Sequence, residues 1–310
     1  MLVEKYSLEK LSEWNDFVEK SKNGTFLFNR NFMDYHSDRF QDNSLMFYNE
    51  SNKLIAILPA NLNADALYSH QGLSYGGLIC GFNIKISEVI NCFESIKNYS
   101  LENSIKKLIY KRVPSIYHKY PADEDLYALF KNNAKLVRLD FGSVIQFKNK
   151  LNWSELRNRC LKKAIKENLT IKINHDLDDY FNLLSEVLIA SHNVKPVHSL
   201  FELKLLFNRF PDNIKLVCSY KGNNLVSGII LFIEKNVLHA QYIANSNEGR
   251  SCGGLEIIIE HILTEFKEFK FLSFGISTED NGNYLNEGLI QQKEGFGARG
   301  ICNSFYELVF

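Results

Sequence analysis

The densest chemistry in the chain lies in the run Tyr242-Ile243-Ala244-Asn245-Ser246-Asn247-Glu248-Gly249-Arg250-Ser251-Cys252-Gly253-Gly254, between an expected strand and an expected helix. Glycines there let the backbone turn tightly and present successive N–H groups to an anion, and the following helix adds positive potential. A phosphate or pyrophosphate could be held this way without a lysine, by Tyr242, Ile243, Gly249, Arg250, Ser251, Cys252, Gly253 and Gly254. The same residues would also make a plain strand-to-helix turn. No Gly-Lys-Ser/Thr follows, and the dinucleotide-binding fingerprint fails in spacing.

A second constellation runs from Ser277 through Asn286 to Lys293-Glu294-Gly295-Phe296-Gly297-Ala298-Arg299. Gly295 and Gly297 allow close backbone approach, and Lys293 and Arg299 could grip an anionic group. Together with Ser277, Asn286 and Phe296 they form a candidate substrate site; a helix C-cap and a bulge is the structural alternative. A third lies at His192-Asn193-Val194-Lys195-Pro196-Val197-His198-Ser199-Leu200-Phe201-Glu202. Ser199 and Glu202 have the spacing of a capping box. Lys195 is a candidate substrate contact, and His198 and Glu202 are candidates to take a proton from an attacking ammonium. No cysteine or carboxylate set completes a zinc site with His192 and His198, so no metal is expected.

His239 is a further candidate base. Three residues separate it from Tyr242, which puts the two on opposite strand faces unless a bulge intervenes. His70 and Tyr75, in the glycine-dense Ser69–Gly77 segment, could line a sugar or nucleotide pocket. Arg157, Arg159, Lys162, Lys163 and Lys166 share one helix. They suit a solvated face, a nucleotide diphosphate or a transfer-RNA stem.

The elements that must position these residues alternate along the chain. The first half reads helix, hairpin, glycine loop, helix, strand, helix. The second reads helices, a three-strand meander from Ile214 to Ala244, the glycine turn, a helix, then strands at Phe271–Ile276 and Ile301–Phe310. This order predicts an α/β (α+β) chain with mixed, mostly antiparallel sheets flanked by helices. At 310 residues two domains are expected, residues 1–145 and 146–310, and the last strand could pack with either. With 36 basic and 36 acidic side chains, no long-range field draws the chain to nucleic acid or an anionic membrane. Six singly placed cysteines suggest reduced thiols, not a disulfide or zinc framework. No apolar run reaches the length of a membrane span, and the start lacks a signal-peptide pattern, so a cytoplasmic location is expected.

Arg250-Ser251-Cys252-Gly253-Gly254-Leu255 resembles the pyrophosphate loop of GNAT acyltransferases, with Leu255 where that family prefers a small residue. Lys293-Glu294-Gly295-Phe296-Gly297 resembles a segment near the end of FemAB-like double-GNAT proteins. Trp14-Asn15-Asp16-Phe17, Ser69–Gly77, Lys195–Ser199 and Asn286–Ile290 extend the likeness to GNAT-type proteins of bacterial surface-polysaccharide clusters. The resemblance implies two GNAT-like domains and acyl transfer from an acyl-CoA co-substrate, such as acetyl-CoA, to an amine on a sugar or sugar nucleotide. The donor pyrophosphate would lie on the Gly249–Gly254 amides and attack would be direct. No nucleophile elbow is present, in keeping with direct attack. The alternatives are aminoacyl transfer from transfer RNA, as in Fem enzymes, and a non-catalytic binding scaffold. The absence of a sustained heptad, and so of a coiled-coil arm, favours coenzyme A over RNA.

Overall fold

The computed structural model describes residues 1–174 and 176–310, without the side chains of Ser191 and His192. Contacts divide the chain into two compact units. The first comprises Met1–Asp140, Asp280–Asn283 and Cys302–Phe310, and the second Phe141–Glu279 and Tyr284–Ile301. The sequence-based division at 145/146 thus falls five residues beyond the main break, and the last strand returns to the first unit.

In the first unit, strands Leu2–Lys5, Leu45–Tyr48, Leu54–Leu58 and Ile79–Cys80 pair antiparallel in that order. Leu45–Tyr48 and Leu54–Leu58 are buried throughout, which their unbroken apolar sequence requires. Lys107–Lys111 pairs antiparallel with Phe305–Val309 and parallel with Ala66–Tyr68. Ala66–Tyr68 is one arm of a hairpin with Asn61–Asn63. Helix Ile86–Glu102 turns Val89, Cys92, Phe93 and Ile96 to the core, the spacing of one helical face. Each fully buried side chain of this kind contributes about 1.5–3 kcal/mol.

The Ser69–Gly77 segment is explained by packing. A Cβ on Gly76 would lie 1.9 Å from the Ser69 carbonyl oxygen. Gly77, at φ +92°, faces the buried Tyr110 hydroxyl, which accepts from Leu78 N and donates to Asp125. Tyr75 is buried between the rings of Phe28 and Tyr117, so its role is in the core and not in a ligand pocket.

In the second unit, Thr170–Ile173, Ile214–Lys221, Asn224–Ile233 and Val237–Asn245 form an antiparallel run. Strand Phe271–Ile276 joins it parallel through Phe271–Ser273 and pairs antiparallel with residues 142–146. Helix Gly254–Glu265 lays Leu255, Ile258, Ile259 and Ile262 on the Val217, Ile229, Leu231 and Leu238 face. Helix Leu177–His192 also contacts Asn224–Ile233 and Val237–Asn245. Its Tyr180 stands where a Cβ on Gly228 would clash at 2.6 Å. Among the described residues, no helix is long and apolar enough to cross a membrane.

Candidate active site

Two strands of the second unit part company at its centre. Val237, Leu238 and His239 pair with Phe271, Leu272 and Ser273, and the pairing ends there. Beyond that point lies a cavity of about 540 Å³, lined among others by Ile243, Asn245, Leu255, Glu256, Phe274, Lys293 and Phe296. Alternate amides of a strand that has lost its neighbour point into such an opening.

The strand Val237–Asn245 carries a bulge just before it leaves. Ala240 pairs with Leu231 and Tyr242 with Ile230, so Gln241 is an extra residue. Without the bulge, His239 and Tyr242 would face opposite ways. With it, they share the face opposite Leu238 and Ala240, which pack on helix Gly254–Glu265. His239 Nδ1 lies 3.2 Å from Ser273 Oγ, and desolvation, then the Lys293 charge, lowers its pKa to about 4. It is neutral at pH 7 but a weak base. The Tyr242 hydroxyl lies 2.6 Å from Nδ1 of the buried His198 and accepts from His198 N. Tyr180 donates to the Tyr242 carbonyl, tying helix Leu177–His192 to the bulged strand.

Lys293 is strongly altered by its place. Helix Glu287–Gly295 carries it inward, where it is 4% exposed. Its ammonium donates to Gly275 O at 3.1 Å, Ile276 O at 2.7 Å and Ser277 Oγ at 2.8 Å. Desolvation pushes its pKa down to about 7. The buried Ser277 is therefore a partner of Lys293. Asn286 caps the same helix, its Oδ1 accepting from Leu289 N while its Nδ2 donates to Glu279, so its part is structural. Phe296 is fixed by Trp153 and Phe274, with the Arg157 guanidinium 4.8 Å from its ring centroid. Gly297, at φ +83°, would bring a Cβ within 2.6 Å of Leu151 O.

Several sequence expectations need correction. Arg299 is exposed and donates to Ala298 O, while Lys293 turns to the Gly275–Ser277 segment, so the two do not form one anion grip. Glu202 closes the capping box with Ser199 N and Oγ at 2.7 and 2.9 Å, a structural engagement that argues against a base. His192's side chain lies outside the described residues, and Lys195 is exposed.

The largest correction concerns the glycine turn. Asn247–Cys252 is itself a short helix, capped by Ser246 Oγ on Gly249 N. Arg250 N bonds Ser246 O, and Gly253 N bonds Gly249 O. Cys252 is buried with Sγ on Gly249 O, and the Ser251 hydroxyl donates to Glu248 O. Gly253 and Gly254 are buried, and a Cβ on Gly253 would lie 2.2 Å from Cys160 O of helix Glu155–Lys166. The glycines serve close helix packing, not an open phosphate cradle. Just beyond them Glu256 is 2% exposed and bonds Arg157 at 2.5 Å. Neither member of this pair was singled out from sequence for that role, since 99 residues separate them. Only Arg250 and Ser251 of the run Gly249–Gly254 are exposed. Arg250 borders both the central cavity and a polar cavity of about 900 Å³ under helix Leu177–His192.

In the first unit His70 is buried at φ +63°, with its ring near those of His36 and Phe40. Burial, then His36, lowers its pKa to about 3. It lines a separate cavity of about 520 Å³.

No family model matches the chain, and no curated protein does either. Solved structures do. FemX aligns over 100% of this chain and 98% of its own, with TM-score 0.69 and 10% identity. The C-terminal domain of a putative lysylphosphatidylglycerol synthetase from Agrobacterium fabrum aligns over 97% and 91%, with TM-score 0.63 and 11% identity. A tandem GNAT protein from the clavulanic acid biosynthesis pathway aligns over 99% and 98%, with TM-score 0.51 and 9% identity. Such low identities compare folds, and across the full chain they agree: the fold is a double-GNAT, FemAB-like one.

Proposed function

We propose that the chain is an acyltransferase whose reaction centre is the cavity where Val237–Asn245 parts from Phe271–Ile276, with Lys293 as general base. The carrying observation is the setting of Lys293. As an ammonium it has three N–H donors and three acceptors around it, which leaves no N–H for an oxyanion. As a neutral amine it keeps two N–H bonds to this cage, and the lone pair that replaces the third N–H takes a proton from the acceptor's ammonium before the amine attacks. A pKa of about 7 suits that role at neutral pH, whereas His239, at about 4, is too weak. The acyl carbonyl is polarised by amides of Ala240–Asn245, where charge develops in the transition state. The amine then attacks directly and the donor's leaving group departs.

The acceptor is an amine, and the sequence resemblance favours one on a sugar or sugar nucleotide. An acyl-CoA donor would meet Arg250 with its phosphates instead of the buried glycine amides. That burial is also the observation favouring a second reading, an aminoacyl ester of transfer RNA. Incubating the protein with acetyl-CoA and amino-sugar nucleotides, and separately with aminoacylated RNA, tests both. Thiol release that depends on the amine supports the first, and RNA deacylation with amide formation supports the second. If neither donor is bound or consumed, the chain is a binding scaffold and the proposal fails.

A further inference from the structure

The first unit holds a cavity of about 520 Å³ that the transfer chemistry does not use. Its wall is made by Tyr68, His70, Gln71, Lys111, Arg138 and Phe305, with Asn281 among the rest, and no lining residue is acidic. Strand Lys107–Lys111 supplies Lys111, and strand Lys135–Gln146 supplies Arg138. The two cations sit 5.6 and 4.6 Å from the Phe305 ring centroid. Arg138 is fixed by a two-pronged bond to the buried Asp140, which lies outside the lining, and by Asn281 Oδ1 at 3.0 Å. Lys111 donates to Leu73 O.

The arrangement is rich in donors and poor in acceptors. Gln71 Oε1 accepts from Asn61, and Asn281 Oδ1 accepts from Arg138, which leaves the amide N–H groups of both side chains as donors at the cavity. Desolvation, then the Arg138 charge, lowers the Lys111 pKa to about 8, with Asp140 acting the other way. Asp140 already holds Arg138, so the cavity keeps one uncompensated positive charge. A cavity with that charge, two amides and an aromatic wall suits an oxyanion better than a neutral ligand.

We infer that this cavity binds the phosphate or carboxylate of a small ligand, with Lys111 as the charge contact and Gln71, Asn281 and Arg138 around it. The inference concerns first-unit residues only and stands or falls apart from the chemistry at Lys293.

Calorimetric titration of the full chain with inorganic phosphate, glucuronate and glucose tests it. At least one anion binds and glucose does not; phosphate alone identifies a phosphate site, and glucuronate alone a carboxylate site. Lys111→Met weakens binding roughly tenfold or more, as expected for losing a half-buried charge contact. Should that variant misfold, Gln71→Glu answers the question, since it adds a like charge at an exposed position and keeps an acceptor for Asn61. Lys293→Met binds the anion as wild type does, which separates this site from the proposed reaction. No binding of either anion at millimolar concentration, equal binding of glucose, or unchanged binding by Gln71→Glu overturns the inference.

Discussion

Each unit carries a glycine pair and an inward lysine, and only one half of that parallel holds. Gly76–Gly77 and Gly253–Gly254 do the same work. In each, a Cβ would meet backbone or a buried side chain at 1.9–3.1 Å, so both pairs exist to let the chain pack closely. The lysines differ. Lys111 lies at a cavity rim, where desolvation and then the Arg138 charge lower its pKa to about 8 and Asp140 partly opposes them. Lys293 is held down by desolvation alone, in a cage of oxygen atoms. Lys111, brought down only to about 8, still carries its charge at neutral pH and can bind with it. One isolated among carbonyls can lose its proton near neutrality, which suits it to move one.

The strongest way to break this contrast is Lys293→Arg, which keeps a cation but cannot deprotonate at working pH. The transfer rate should fall about 10²–10⁴-fold, the span of a lost general base. The wild-type rate should climb with pH through about 7, the value to which desolvation brings Lys293. A steady-state pH profile checks both, and a rate that falls through pH 7 would make Lys293 an electrostatic contact instead of a base.

The glycine half of the parallel is broken by Gly253→Ala. It forces a side chain to φ +81° and into Cys160 O, and overpacking of this kind costs about 1–3 kcal/mol with the left-handed backbone adding about 1–2 kcal/mol. Urea denaturation measures the loss. If donor binding falls while stability is unchanged, the glycines are a phosphate cradle after all.

What could be read from sequence follows the range of the interactions involved. The Ser199–Glu202 box is local and was visible in residue spacing, whereas Asn286, read as a substrate contact, is the N-cap of its helix. Lys293 stood out through its neighbouring glycines, and the bulge was named as the condition for bringing His239 and Tyr242 to one face. The burial of Gly253 was not visible, because a phosphate turn and a tight helix crossing ask for the same residue. Nor were Arg157 with Glu256, or Lys111 with Arg138 and Phe305, because each set meets only through strand order and helix packing.

A smaller effect sharpens the lysine comparison through stability. Both folded pKa values, about 7 and about 8, lie below the roughly 10.4 of an unfolded lysine. Between these limits the unfolded chain binds more protons, so each lysine makes folding more favourable as pH rises. The gain starts near pH 7 for Lys293 and near pH 8 for Lys111, and is complete above the unfolded value. In denaturation at stepped pH, the stability lost in Lys293→Met relative to wild type should therefore grow from pH 7 to 10 by more than that lost in Lys111→Met. Equal slopes would mean that the two ammonium groups are desolvated alike.

The smallest expected effect lies on the bulged strand. Tyr242→Phe removes the hydroxyl bonded to His198 and leaves a buried ring nitrogen without that partner, at a cost of about 1–3 kcal/mol. Since His239 and Lys293 keep their own partners, Ser273 and the Gly275–Ser277 segment, the pH at which the rate turns over should stay near 7. A shifted turnover would show that His198 and Tyr242 belong to the proton path, and the division of labour drawn here between positioning and proton transfer would have to move one strand inward.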